Sequence, residues 1–278
     1  MTPGFRSVVW GKKALKLALL APSAFGRIRE PGLFVLVYHR VGAGMGREMD
    51  LPTDLFEAQL HYLGERFEPV PLADGLGRLA AGETLRRDLV AVTFDDGYKE
   101  VYAEAWPVLR EAGIPATIFV ATGFLDGDRP APLRAGAGGQ GSPPEPITWE
   151  QIGEMMASGL IAVGSHSHSH ADFERISKEE AEMEAALSKD IVERRVGERP
   201  EIFAYPRAIV AHEDVIARHY RYAVAADGTK NLAKSFDPYR VSRTPVRASD
   251  GMFFFRRRLD GIRPLEDRVY DRMRAEYD

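Results

Sequence analysis

The sequence predicts an α/β fold in which βα units wrap a parallel sheet or barrel. Three observations predict it. Short apolar runs alternate with longer stretches of helical periodicity from Leu33 onward. The runs are apolar throughout, as in strands buried on both faces. Several end at polar or Gly/Pro-marked turns, where βα barrels carry their chemistry.

The elements follow in order. Phe34 to Tyr38 is a β-branched and aromatic run that ends at His39-Arg40 and a turn through Gly42, Gly44 and Gly46. Thr53 or Asp54 caps a helix bearing Leu55, Phe56, Leu60, Leu63 and Phe67 on one face. A short helix covers Leu72 to Leu79, and Leu89 to Phe94 is a second buried strand stopping at Asp95-Asp96-Gly97. A helix from Tyr98 to Glu111 ends at Gly113-Ile114-Pro115, and Ala116 to Ala121 is a third strand. Residues 126–146 are rich in Gly and Pro and read as a surface loop. Thr148 caps a helix over Trp149 to Ser158, and Leu160 to Val163 is a strand leading into Gly164-Ser165-His166-Ser167-His168-Ser169-His170. A helix over Ser177 to Val196, a strand at Ile202 to Tyr205, a helix over His212 to Tyr220 and a strand at Tyr222 to Ala225 continue the alternation. Tyr239 to Arg243 reads as the last strand, Met252 to Leu259 as a closing helix, and Pro264 to Tyr277 as a terminal helix packed outside.

Composition narrows the chemistry. The 278 residues contain 37 Lys and Arg, 41 Asp and Glu, and no cysteine. Thiol nucleophiles and Cys-based metal sites are therefore excluded, and any metal must be held by His and carboxylate. The net charge of −4 argues against a nucleic-acid partner, and Arg256-Arg257-Arg258 is too short a basic run to change that. No segment reaches the roughly 20 apolar residues that span a bilayer. The N-terminal arm, residues 1–30, has three open readings: a weak secretory signal interrupted by Lys16, an amphipathic helix lying on a membrane through residues 5–20, or a helix packed on its own domain. A cytoplasmic or membrane-peripheral location is the favoured expectation, with export as the alternative. Residues 31–278 form a single domain.

Two strand ends carry reactive groups. Asp95 and Asp96 follow a buried strand directly; a helix cap or an ordinary Asp-Asp-Gly turn is the competing reading. Three of the seven histidines fall at 166, 168 and 170, again just after a strand. His166, His170 and one carboxylate make a two-His, one-carboxylate set that suits zinc, iron, cobalt or nickel. Such an ion lowers the pKa of bound water towards about 7 and polarises a carbonyl, and the second Asp can act as general base. The pattern points to metal-assisted hydrolysis of a carbonyl compound.

These segments resemble the polysaccharide deacetylases that share the chitooligosaccharide deacetylase homology domain (carbohydrate esterase family 4). Thr93-Phe94-Asp95-Asp96-Gly97-Tyr98 is similar to the family's first motif and His166-Ser167-His168-Ser169-His170 to its second. The resemblance runs from about Val35 to Ala226 and implies a distorted (β/α) barrel of about seven parallel strands. It implies Asp95 as catalytic base, Asp96, His166 and His170 as ligands of a divalent metal, zinc foremost, and hydrolysis of N-acetyl groups from amino sugars. Tyr98, His168, Tyr205, Pro206 and Arg207 are the residues expected to line the substrate site, with core packing the equal alternative for Tyr205. The third motif departs from the family: Ala204 stands where an arginine would orient the base, which leaves Arg207 or Arg40 to supply that cation from elsewhere. The late histidine that serves as general acid is also missing. Tyr38-His39-Arg40-Val41 instead resembles the opening of deacetylases of poly-N-acetylglucosamine type, whose motif order is circularly permuted, and makes His39 the candidate acid; a merely structural histidine is the alternative. The expected substrate is an N-acetylated glycan or its lipid-linked precursor, as in exopolysaccharide biosynthesis. The rivals are hydrolysis of another amide, such as a formamido sugar, and an inactive barrel that binds a glycan or a partner.

Overall fold

In the computed structural model, residues 30–132 and 143–260 are described, so the arm, the terminal helix and the middle of the 126–146 loop lie outside the described residues. Seven parallel strands build the barrel: β1 (Leu33–Tyr38), β2 (Leu89–Phe94), β3 (Ala116–Val120), β4 (Ile161–Ser165), β5 (Ile202–Ala204), β6 (Tyr222–Val224) and β7 (Thr244–Pro245). Their order around the sheet is β7-β1-β2-β3-β4-β5-β6, with Glu68–Pro69 added beside β2. Every residue of β1, β2 and β3 is buried, which is why these strands read as continuous apolar runs.

The helices are α1 (Thr53–Arg66), α2 (Leu72–Ala80), α3 (Trp106–Ala112), α4 (Thr122–Leu125), α5 (Trp149–Met156), α6 (Lys178–Val196), α7 (Glu213–His219) and α8 (Gly251–Leu259). Thr148 caps α5 and Ser177 caps α6, each in a capping box. No helix among the described residues is long and apolar enough to cross a membrane.

Three details differ from the sequence reading. Helix α1 has Pro52 at its N-cap with no side-chain cap bond, so Thr53 and Asp54 both lie inside the helix, and the Thr53 hydroxyl donates to Glu104. The helix expected from Tyr98 opens as a π-turn over Val101–Ala105, in which the Trp106 amide donates to Val101. The wider turn suits Pro107, which has no N–H and would crowd the carbonyl four residues back in a regular helix. The last strand also starts later, because its pairing is split between two edges. Val241 exchanges backbone bonds with Ala223 and Ala225 beside β6, and Thr244 then lies opposite Leu36 of β1. One segment thus holds both edges of the sheet and closes the barrel.

Inside, Gly164 of β4 lies opposite Phe119 of β3. A Cβ at Gly164 would meet the Phe119 ring at 2.3 Å and the Ile202 carbonyl at 3.1 Å. Backbone and a locked aromatic cannot both withdraw. Gly164→Ala is therefore expected to destabilise the fold by about 1–3 kcal/mol, read as a lower denaturant midpoint at unchanged slope; an unshifted midpoint would show that the interior has slack there.

Candidate functional site

The two carboxylates project at the C-terminal mouth of β2. The Asp95 amide donates to the Tyr38 carbonyl at 3.0 Å, so the strand pairing continues through it. Asp96 then turns into the left-handed region with φ 74°, followed by Gly97 with φ 83°. This is an uncommon state for a residue other than glycine, and such outliers gather at functional sites. Neither aspartate caps the helical segment that follows, whose N-cap is Glu100. Both are almost fully buried.

The histidines arrive from β4. The His166 amide bonds to the Val120 carbonyl, and its Nδ1 lies 2.8 Å from the Ala204 carbonyl. A carbonyl only accepts, so Nδ1 carries the proton and Nε2 presents a lone pair. That Nε2 is 3.5 Å from Asp96 Oδ1, and His170 Nε2 is also 3.5 Å from the same oxygen. Asp96 Oδ1 is buried with no hydrogen-bond partner among the described residues. The three ligand atoms lie within 4.8 Å of one another. Ligands at about 2.0–2.1 Å from a tetrahedral ion stand about 3.4 Å apart, so the spacing and the orphaned oxygen fit a divalent cation.

Charge states agree with that fit. Burial lowers His166, and burial together with the neighbouring His166 takes His170 down to about 3, so both imidazoles are neutral and free to donate lone pairs. Burial and the adjacent Asp95 push Asp96 up to about 8. Asp95 goes the other way: burial pushes it up, but the charge of Arg243 and the hydrogen bonds it donates hold it well below the usual carboxylate range.

Arg243 is the residue the sequence reading missed. Its Nη1 and Nη2 donate to Asp95 Oδ1 and Oδ2 at 2.6 and 2.8 Å, a bidentate fork. Its Nε donates to the Ala225 carbonyl, and its guanidinium lies over the Phe119 ring. The two cations proposed from sequence are engaged elsewhere: Arg40 with Glu100, and Arg207 with Asp172 at 3.6 Å. A signal was present, since a charged residue in a predicted barrel strand is buried only when paired.

The remaining candidates divide. His39, at the end of β1, is close enough for its charge to act on both Asp95 and His170. Tyr98 is buried, hydrogen-bonds the Asp96 carboxyl, and has Arg40 over its ring at 5.3 Å. His168 turns away from the other two histidines, with Nδ1 3.0 Å from the Thr122 hydroxyl. Tyr205 and Pro206 are buried; the Tyr205 amide donates to Val224 and its ring packs against Phe203, so core packing is what its surroundings supply. Arg207 and Ala208 both have positive φ, and Arg207 is exposed.

Comparison with known proteins adds an independent line. A family model described as polysaccharide deacetylase matches residues 82–224. The Bacillus subtilis (strain 168) protein YxkH, named for the polysaccharide deacetylase class, is 26% identical over 232 residues, covering 83% of this chain and 76% of its own. The poly-β-1,6-N-acetyl-D-glucosamine N-deacetylase of Escherichia coli K12 is 29% identical over 144 residues, 50% of this chain and 21% of that protein. Among solved structures, IcaB from Ammonifex degensii superposes with a TM-score of 0.65 at 26% identity, covering 82% of this chain and 97% of that one. BC0361, a polysaccharide deacetylase from Bacillus cereus, shares the fold with a TM-score of 0.67 at 22% identity, covering 83% of this chain and 69% of its own.

The Arg243 fork yields a pH-dependent expectation. Because Asp95 is held below its ordinary 3.8, the pair contributes stability that is complete above that value and lost as pH falls through the lower folded one. Arg243→Gln leaves a buried carboxylate unpaired and should cost about 3–5 kcal/mol near neutrality. Protonating Asp95 relieves that penalty, so the gap in unfolding free energy between wild type and variant should narrow from pH 7 towards pH 4. A gap constant across that range would break the link between the two groups.

Proposed function

The chain belongs to the polysaccharide deacetylase family, and we propose that it is a metal-dependent hydrolase removing N-acetyl groups from amino sugars of a poly-N-acetylglucosamine-like glycan or its precursor. The observation that carries this reading is the convergence of three ligand atoms beside a carboxylate that an arginine keeps ionised. The printed substrate of the Escherichia coli relative suggests the glycan class.

Asp96, His166 and His170 would hold the ion, zinc foremost, with cobalt, nickel or iron accepted by the same donors. When bound, it polarises the amide carbonyl and acidifies water. Asp95 takes the proton from the attacking water, and its ionised state at neutral pH is the work of Arg243. The fork occupies one lone pair on each Asp95 oxygen and leaves the others to accept. Water adds to the carbonyl carbon, the C–N bond breaks, and His39 gives a proton to the departing nitrogen. The products are acetate and a free amino sugar. The rival of an inactive barrel rests on the missing third-motif arginine and the missing late histidine; the Arg243 fork on Asp95 supports the active reading on the first point, and His39 is the proposed answer to the second. A formamido substrate would use the same metal and base and differs only in the acid released.

Release of acetate from N-acetylglucosamine oligomers by the zinc-loaded protein is the direct test. Asp95→Asn and His166→Ala should abolish it, the second together with metal content. Formate release instead would favour the other amide, and a chain without bound metal or turnover would favour a binding barrel. His39→Ala should lower turnover by about 10²- to 10⁴-fold at unchanged metal content; an unchanged rate would remove His39 from the mechanism.

A further inference from the structure

The loop that delivers His170 has an unusual backbone. Ser167 and His170 both sit in the left-handed region, with φ of 62° and 53°, and neither is glycine. Something outside the loop must hold it there. On its carbonyl side, the amides of Thr122 and Gly123 donate to the Ser167 and His168 carbonyls at 3.3 and 2.8 Å. On its amide side, among the described residues, the holding comes from one carboxylate. Glu184 Oε2 accepts from the His168 and Ser169 amides, both at 2.8 Å, and Oε1 accepts from the Ser169 hydroxyl at 2.6 Å. All three bonds lie within ordinary hydrogen-bond lengths, and their geometry fixes the amides in place.

Glu184 itself stands on a firm base. It lies on α6, whose buried residues Ala181, Ala185 and Ser188 face the barrel. Ser188, one turn further on, bonds to the Ser165 hydroxyl at 2.7 Å, immediately before His166. The carboxylate is thus referenced to the same strand end that carries the loop. The two histidines differ in what secures them. His166 is tied by strand pairing and by its own bond to the Ala204 carbonyl, whereas His170 lies beyond the span that Glu184 grips.

We propose that Glu184 is the positioning residue for His170, holding its Nε2 towards Asp96 by gripping the loop amides and not by its charge. The inference rests on the reading of Asp96, His166 and His170 as metal ligands, and its test separates the two. In the metal-free full-length chain, Glu184→Ala should shift or broaden the His170 ring signals in proton–carbon NMR spectra while those of His166 stay in place. Titrated with zinc against a chromophoric chelator, the same variant should bind about 10- to 100-fold more weakly than wild type. Glu184→Gln keeps one oxygen for the two amides and an NH₂ for the Ser169 hydroxyl, so it should stay close to wild type in both measurements. Alanine favours helix, so loss of α6 is not expected, and unchanged far-ultraviolet circular dichroism checks this. Unmoved His170 signals, or a Gln variant as weak as the Ala variant, would overturn the positioning role. A wild type that binds no zinc while His170 still moves would sink the metal reading and leave the positioning intact.

Discussion

Two carboxylates side by side in a dry interior cannot both be charged without help, and the site is organised around that constraint. Asp95 and Asp96 are consecutive and almost fully buried. The protein solves the problem asymmetrically. Asp95 receives a guanidinium fork and stays ionised, while Asp96 faces two neutral imidazoles and, without a cation, is pushed towards protonation. The same asymmetry suits the two proposed roles, because a base needs a free charge at neutral pH and a metal ligand needs a second positive partner to become charged. Left-handed backbone at Asp96 is what allows two adjacent side chains to face different partners.

The cost of a buried ion pair is repaid only with good geometry, and Arg243 shows how the barrel provides it. Nη1 and Nη2 are matched to the two Asp95 oxygens, Nε to the Ala225 carbonyl, and the flat face lies over Phe119. A lysine could not fill this fork. Around it, Thr93 donates its hydroxyl to the Leu36 carbonyl and accepts from Arg243, so even the strand interior is polar where the pair requires it.

What the sequence made legible was what is local along the chain. The parallel barrel follows from apolar runs such as Leu89 to Phe94, since burial on both faces leaves a composition signal. The Asp95-Asp96 pair and the histidine cluster were legible for the same reason: each group is contiguous and ends a strand. Arg243 was not, because it lies 148 residues from Asp95 and only barrel closure joins them. Glu184 was invisible for a different reason. On a helix with many charged residues, a carboxylate holding backbone amides looks like any solvated one. The π-turn before α3 was equally hidden, although Pro107 offered a hint that a regular helix would be strained there.

The closing segment links folding to chemistry more tightly than the strand count suggests. Val241 bonds to the β6 side, Thr244 pairs with β1, and Arg243 between them points inward to Asp95. Tyr38 of β1 accepts the Asp95 amide, and His39 follows it directly. The proposed base, its cation and the proposed acid therefore meet at one seam between the first and last strands. Opening that seam would withdraw Arg243, the main group opposing burial at Asp95, raising its pKa and weakening its ionised form at neutral pH. In this barrel the ionisation of Asp95, and with it the strength of the proposed base, is a consequence of closure, so any change that loosens the 241–246 segment should be felt at Asp95 before the fold as a whole gives way.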